Sequence, residues 1–246
     1  MDLNTLVLLV LGLAAGVISA LFGVGGGLIV VPALHYLFGV DFRVATVLSL
    51  AAICLQSPFG VYQHAQRGAV SWRLGGWMAV GGAVGVAAGL WLQQRLSVAG
   101  LKLTMAVLML FGAWRMVSAP PQPRVEARSG AAVAAIGVVA GTASRLLGIG
   151  GGLLTVPLLA LDGVPMHTAV GSSLVPVFTN SLLAAAVATA GGADVRPALW
   201  IGAGALAGSP LGVRLAHRLP AKQLKRAFAA GLTLAALYIG ATSGAF

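Results

Sequence analysis

The sequence predicts an all-α polytopic membrane protein made of two repeated helical units, each opening with a glycine-broken or re-entrant helix. Three observations carry that prediction. Only 8% of the 246 residues are charged and 59% are hydrophobic, whereas a soluble domain carries about 25% charge. The apolar residues come in continuous blocks long enough to cross a bilayer, unlike the alternating segments of a β-barrel. The segment FGVGGG at Phe22 to Gly27 returns as LGIGGG at Leu147 to Gly152, and each is followed by a short apolar run ending in VP.

The elements follow in order. The first span, about 3–22, begins in MDLNTLVLLV, which holds an acid and no basic n-region, and it reads as a retained membrane segment. The run at 26–38 is too short to cross and reads as a half-helix or re-entrant segment. Full spans are expected near 44–63, 74–94 and 100–117. The stretch SAPPQPRVEARSG, Ser118 to Gly130, is rich in proline and charge, and no helix survives it. It divides a first membrane repeat, 1–118, from a second, 131–246, with 119–130 as the linker. The second half supplies spans near 131–147, 167–189, 197–216 and 224–243, with a short run at 151–161 directly after its glycines.

The two halves share one register. Gly23, Gly25, Gly26, Gly27, Leu28, Val31 and Pro32 fall on Gly148, Gly150, Gly151, Gly152, Leu153, Val156 and Pro157. After single-residue losses, Ser49 meets Ser173, and the ladder Gly81, Gly85, Gly89 meets Gly204, Gly208, Gly212. Such internal repeats are the usual build of secondary transporters. The ladders have small-xxx-small spacing, which lets helix backbones approach closely in lipid, and they read as packing faces.

Charge bears on orientation. The formal net charge is +10. The bases lie scattered in short loops, so the positive-inside rule accounts for them without nucleic acid. If each half contains an odd number of crossings, Arg67, Arg73, Arg115, Arg124, Arg128, Arg214, Arg218, Lys222, Lys225 and Arg226 share one side, against Arg43, Arg95, Lys102 and Arg196 on the other. A parallel arrangement divides them more evenly, so the rule favours an inverted repeat with the 214–226 loop cytoplasmic.

The glycine clusters do not fit soluble motifs. Leu28 and Leu153 stand where a dinucleotide fingerprint needs its last glycine, and neither cluster leads into the Lys-Ser/Thr of a phosphate loop. No HExxH, GxSxG or CxxC occurs, so no enzyme, metal or cofactor is expected. The lone Cys54 reads as a small apolar helix residue and permits no intrachain disulfide. In a membrane, unwound backbone is tolerated where it is buried in protein or lines a watery cavity. The short helix after each break would point free amides and the positive end of its dipole into that cavity, which makes an anion site. The candidate substrate-binding residues are therefore Gly25, Gly26 and Gly27 with Gly150, Gly151 and Gly152. The polar groups Ser49, Gln56 and Ser57, and Ser172, Ser173 and Asn180 in the matching span, could complement oxyanion oxygens. Pro58 and Pro176 beside them could kink the helices toward the cavity.

Arg145 strengthens the anion reading. It lies deep in an apolar segment, where a charge costs roughly 2.5–3.5 kcal/mol on insertion scales, and its repeat partner is Ala20. The five acids, Asp2, Asp41, Glu126, Asp162 and Asp194, all lie near termini, loops or segment ends. Proton relays commonly use Asp, Glu or His, so only His35, His64, His167 and His217 remain, and each reads as interfacial. Export driven by an inside-negative potential would suit an anion carrier.

With GVISALFGVGGGLIVVP, GTASRLLGIGGGLLTVP and AVGSSL at Ala169 to Leu174, the chain resembles the sulfite exporter TauE/SafE family of membrane permeases over nearly its whole length. That resemblance implies a multi-pass carrier in the bacterial inner membrane for sulfite, sulfoacetate or related small anions. It leaves open uptake of thiosulfate or a sulfonate. An anion channel and a non-transporting scaffold stay open as other classes. The expected partners are a small anionic substrate and the lipid bilayer, with a homo-oligomer left open.

Overall fold

A computed structural model describes residues 5–118 and 129–242. The linker expected at 119–130 lies almost wholly outside the described residues. The first half contains α1 (Thr5–Phe22), α2 (Gly27–Pro32) continued by one π-helical stretch (Ala33–Leu37), α3 (Phe42–Ala65), α4 (Trp72–Arg95) and α5 (Val98–Ser118). The second contains α6 (Gly130–Leu147), α7 (Gly152–Leu161), α8 (Met166–Ala190), α9 (Arg196–Arg218) and α10 (Ala221–Thr242). Each predicted span is a helix, and each short run is a short helix. Seven helices, α1, α3, α4, α5, α6, α8 and α9, are long and apolar enough to cross a membrane. Pro58 and Pro176 lie inside α3 and α8 without ending them.

Local chemistry sets several boundaries. Asp41 starts α3 two residues ahead of the predicted span, because its carboxylate accepts from the amides of Arg43 at 2.9 Å and Val44 at 3.3 Å. Replacing Asp41 with Ala should cost about 1 kcal/mol. For a chain of this size that is a fall of about 2–4 °C in the thermal unfolding midpoint in detergent. At α9, Asp194 accepts from the Arg196 amide at 3.0 Å and pairs with its guanidinium at 2.8 Å. These bonds hold the exposed Asp194 carboxyl down to about 2.

The halves interlock. The first helix of each half packs most extensively on the fourth helix of the other, α1 on α9 and α6 on α4, while α3 packs on α8 and α5 on α10. The glycine ladders make the first two contacts. A Cβ on Gly204, Gly208 or Gly212 would overlap the carbonyls of Leu9, Leu13 or Val17, and one on Gly81 or Gly85 would overlap those of Ala134 or Val138. The packing reading of the ladders therefore holds.

These contacts also fix direction. Rising residue numbers on α9 meet rising numbers on α1, so the two helices run parallel, and α4 and α6 run parallel by the same reasoning. Ala20, near the end of α1, accepts a hydrogen bond from His64 at the end of α3. α4 starts from that same end and runs back, so α1 opposes α4 and therefore opposes α6. α1 thus runs opposite to α6, its counterpart in the second half, the relation that an inverted repeat requires. Tracing the helices this way gathers Arg67, Arg73, Arg115, Arg214, Arg218, Lys222, Lys225 and Arg226 at one end of the bundle. Arg43, Arg95, Lys102 and Arg196 stand at the other.

Candidate functional site

The two glycine breaks meet at the centre of the bundle and cross. A Cβ on Gly27 would overlap the Gly148 carbonyl, and one on Gly152 would overlap that of Gly23. Ser49 donates to the Gly148 carbonyl at 2.7 Å, and Ser173 donates to the Gly23 carbonyl at 2.9 Å. The crossing is thus clamped twice, by matching serines on α3 and α8. Gly25 and Gly150 lie between the side chains of Ile53 and Val177, which are themselves repeat counterparts near the middle of those helices.

Gly26 and Gly151 cap the short helices with φ of 76° and 91°. That region is open to glycine at no steric cost and disfavoured for other residues. The turn folds α2 back along α1, so Gly26 faces Ala15, and Gly151 faces Ala140. Among the described residues, no backbone acceptor takes the amides of residues 24–28 or 149–153. Three acids are described, Asp41, Asp162 and Asp194, and all stand at helix ends. The centre is therefore rich in donors and poor in negative charge.

A cavity of about 10 Å³ borders the first break, lined by Gly25, Gly26, Val30, Ile53, Gln56 and Ile201 among others. That volume suits one water molecule. Gln56 is buried, with no partner for its Nε2 among the described residues. Asn180 occupies the same register position in α8, fully buried, with neither Nδ2 nor Oδ1 bonded among the described residues. Its carboxamide stands beside Gly151 and fills the space that a Cβ on Gly82 would need. Each break thus has one buried carboxamide next to it, from the same turn of its repeat.

The remaining predicted residues fall into different settings. Ser57 donates back to the Ile53 carbonyl at 2.6 Å within its own helix. Ser172 points away from the breaks and accepts from the Ser71 amide at 2.8 Å, holding the loop before α4. Arg145 lies in the last turn of α6, 6% exposed, with its Cβ against the α4 backbone at Gly89. Its Nε and one terminal nitrogen have no partner among the described residues.

Two residues escaped the sequence reading. Ser19 and Ser144 are fully buried, their hydroxyls have no partner among the described residues, and they occupy matching positions just before the breaks. Their common register was visible in the repeat. A serine in an apolar helix usually bonds its own backbone, so position alone gave no reason to select them.

The family model described as "Sulfite exporter TauE/SafE" matches residues 8–239. A probable membrane transporter protein of Haemophilus influenzae is 28% identical over 94% of this chain and 96% of its own length. Another from Xylella fastidiosa is 29% identical over 91% of this chain and 90% of its own length. A third, from the archaeon Methanocaldococcus jannaschii, is 28% identical over 68% of this chain and 66% of its own length. No solved structure matches the chain.

Proposed function

The chain belongs to the sulfite exporter TauE/SafE family of membrane transporters, and from that premise we propose that it is a secondary carrier exporting a small sulfur-containing oxyanion or organosulfonate, sulfite-like in chemistry, across the bacterial inner membrane. One observation carries the substrate class. At the central crossing, the amides after each break have no backbone acceptor, and Nε2 of Gln56 and both polar side-chain atoms of Asn180 have no partner, among the described residues. A buried donor without a partner costs about 1–3 kcal/mol, and a bound oxyanion would satisfy several at once. Nearby acids, which would repel it, are absent from the described helix interiors.

Within this reading Gly25, Gly26, Gly150, Gly151, Gln56 and Asn180 hold the anion. Arg145 supplies a compensating charge, and Ser19 and Ser144 add hydroxyls. Gly27, Ser49, Gly152 and Ser173 hold the crossing itself. A water-sized cavity does not admit sulfite, so loading requires the α1–α9 and α4–α6 pairs to shift against α3 and α8. Such rocking of one bundle against another around a fixed midplane site is how repeated carriers alternate access. The arginine-rich end faces the cytoplasm by the positive-inside rule.

The test is flux of radiolabelled sulfite, thiosulfate and sulfoacetate in proteoliposomes. The wild-type protein is expected to move at least one of them. Arg145→Ala is expected to slow that flux by about tenfold, the worth of one charge-assisted hydrogen bond or more, and Gly151→Leu to stop it. A wild-type protein that moves none of the three removes the substrate class. Unchanged flux in both variants removes the site.

A further inference from the structure

Three of the four histidines, expected singly at interfaces, come together at the arginine-rich end of the bundle. His64 is fully buried near the end of α3. Its Nε2 lies 2.9 Å from the Ala20 carbonyl on α1, three residues before the first break. His217, near the end of α9, places its Nε2 3.2 Å from Nδ1 of His64. His167, in the first turn of α8, stacks on His217 with ring centroids 5.4 Å apart. Its Nε2 reaches the carbonyls of Ala216 and Leu219 at 3.1 and 3.3 Å. The described residues hold no grouping of three His, Cys, Asp or Glu side chains fit for a metal ion.

The partners dictate where the hydrogens sit. A carbonyl only accepts, so Nε2 of His64 and Nε2 of His167 each carry a hydrogen. In the neutral ring Nδ1 of His64 is then an acceptor, so Nε2 of His217 donates to it. The Nε2 atoms of all three neutral rings are then used; Nδ1 of His167 lies outside the hydrogen-bonded pair, and within the pair the lone pair left over is that on Nδ1 of His217. One proton can settle on that lone pair without breaking any of these bonds. A second proton, on Nδ1 of His64, would set N–H against N–H and place two cations 3.2 Å apart. The geometry of the pair therefore has room for one proton and resists another.

The other end of the molecule shows what this cluster replaces. The repeat counterpart of His167 is Arg43, whose guanidinium donates to the Leu96 carbonyl at 3.0 Å. Leu96 is the counterpart of Leu219. A permanent cation thus closes α3 onto α4 at one end, and a titratable ring closes α8 onto α9 at the other. The counterparts of His64 and His217 are Ala188 and Gln94, so the linked imidazoles have no equivalent at the other end, where His35 packs on Phe42 with no second histidine beside it. The cluster also ties together α1, α3, α8 and α9, the helices that must separate for that end to open. Around it, Arg67 just beyond α3 is the charged side chain whose field reaches both His64 and His217. On α9, Arg214 and Arg218 flank His217 and are exposed. From α8 the cluster is faced by His167, and from α1 by the Ala20 carbonyl.

We propose that the linked imidazoles of His64, His217 and His167 are a proton-binding site that loads one proton at the arginine-rich end in each transport cycle and couples proton movement to anion movement. This rests on the transport reading above and adds its coupling ion. The proton is carried on a ring nitrogen lone pair and released from it unchanged, so no other group is consumed. Loading leaves the His217–His64 bond in place and makes it charge-assisted, while the added charge is repelled by Arg67 just beyond α3, so the proton resets the balance that holds this end closed.

Two measurements test it, one with substrate and one without. In proteoliposomes loaded with a pH-sensitive dye, wild-type anion flux should move protons. His64→Gln and His217→Gln keep a side-chain donor but cannot titrate. They should cut substrate-driven proton movement by about tenfold or more while anion exchange at equal concentrations on both sides continues. Wild-type anion flux with no proton movement, or full proton movement in both variants, overturns the proposal. If the wild type moves no tested anion, the transport reading fails instead, and the second measurement decides for the site. Histidine-detected ¹⁵N spectra of the full-length protein in detergent should show hydrogen on Nε2 of all three rings at neutral pH. His64 and His217 should take up a single shared proton on acidification, and that uptake should disappear in His217→Gln. Two independent titrations at the free-imidazole midpoint would overturn the proposal.

Discussion

Replacing both Gln56 and Asn180 with leucine is expected to stop anion flux while raising the thermal stability of the protein. The two effects share one cause. Each carboxamide is buried with a donor that no group among the described residues accepts, and each such group costs about 1–3 kcal/mol. Leucine branches at the same atom as asparagine and has no polar group to desolvate. The double variant should therefore unfold several degrees higher in detergent, at about 2–4 °C per kcal/mol. Function should move the opposite way, because the two amides stand beside the breaks with donors that no described residue uses. Loss of two hydrogen bonds to a charged ligand, at about 1.5–3 kcal/mol each, predicts a fall in flux of at least about a hundredfold. Flux together with a fluorescence-based unfolding curve checks both halves. A double variant that transports normally would show that the anion does not visit the crossing. One that is destabilised would show that the amides have structural partners.

The second large effect is at the crossing. Gly27→Val and Gly152→Val should each prevent normal assembly. The atom that a Cβ would strike is in both cases a backbone carbonyl of the opposing break, at Gly148 or Gly23. Side chains can rotate away from such a clash, whereas two clamped backbones cannot. Overpacking a tight core typically costs 1–3 kcal/mol, and with no rotamer to absorb the strain the cost should sit at or above the top of that range. The expected readout is a drop of roughly 10 °C in the unfolding midpoint, or loss of monodisperse protein on size-exclusion chromatography. By contrast Gly39→Ala, in the loop before α3, meets no atom within 4 Å. It keeps a φ of 65° and should cost only about 1 kcal/mol of backbone strain. If valine at Gly27 and Gly152 were as well tolerated as that loop change, the crossing would not be the tight contact described.

Most of the architecture was legible because it is written locally. Hydropathy sums over about twenty residues gave each span, and the break-helix-proline pattern gave the two short helices. The duplicated register gave the match between halves. The glycine ladders were legible for the same reason, since their spacing is a property of one helix. The site was only partly legible. Gln56 and Asn180 were selected as polar groups at membrane depth, and they stand beside the breaks. Ser172, equally polar and equally deep in the register, instead holds the loop at Ser71. Nothing along the chain separates these cases, because a hydroxyl's role depends on which neighbour it meets.

The sequence alone determined that this chain lives in lipid, that one helical unit occurs twice, and that each unit breaks at a glycine cluster. Those properties depend on neighbours a few residues away, and so they survive in a linear reading. Tertiary structure decided the rest: that the breaks cross, that the first helix of each half embraces the fourth of the other, and that His217 bonds His64 across a separation of 153 residues. Packing two helical surfaces in three dimensions settles such meetings, and residue order carries no local signal for a contact whose partner lies in the opposite half of the chain.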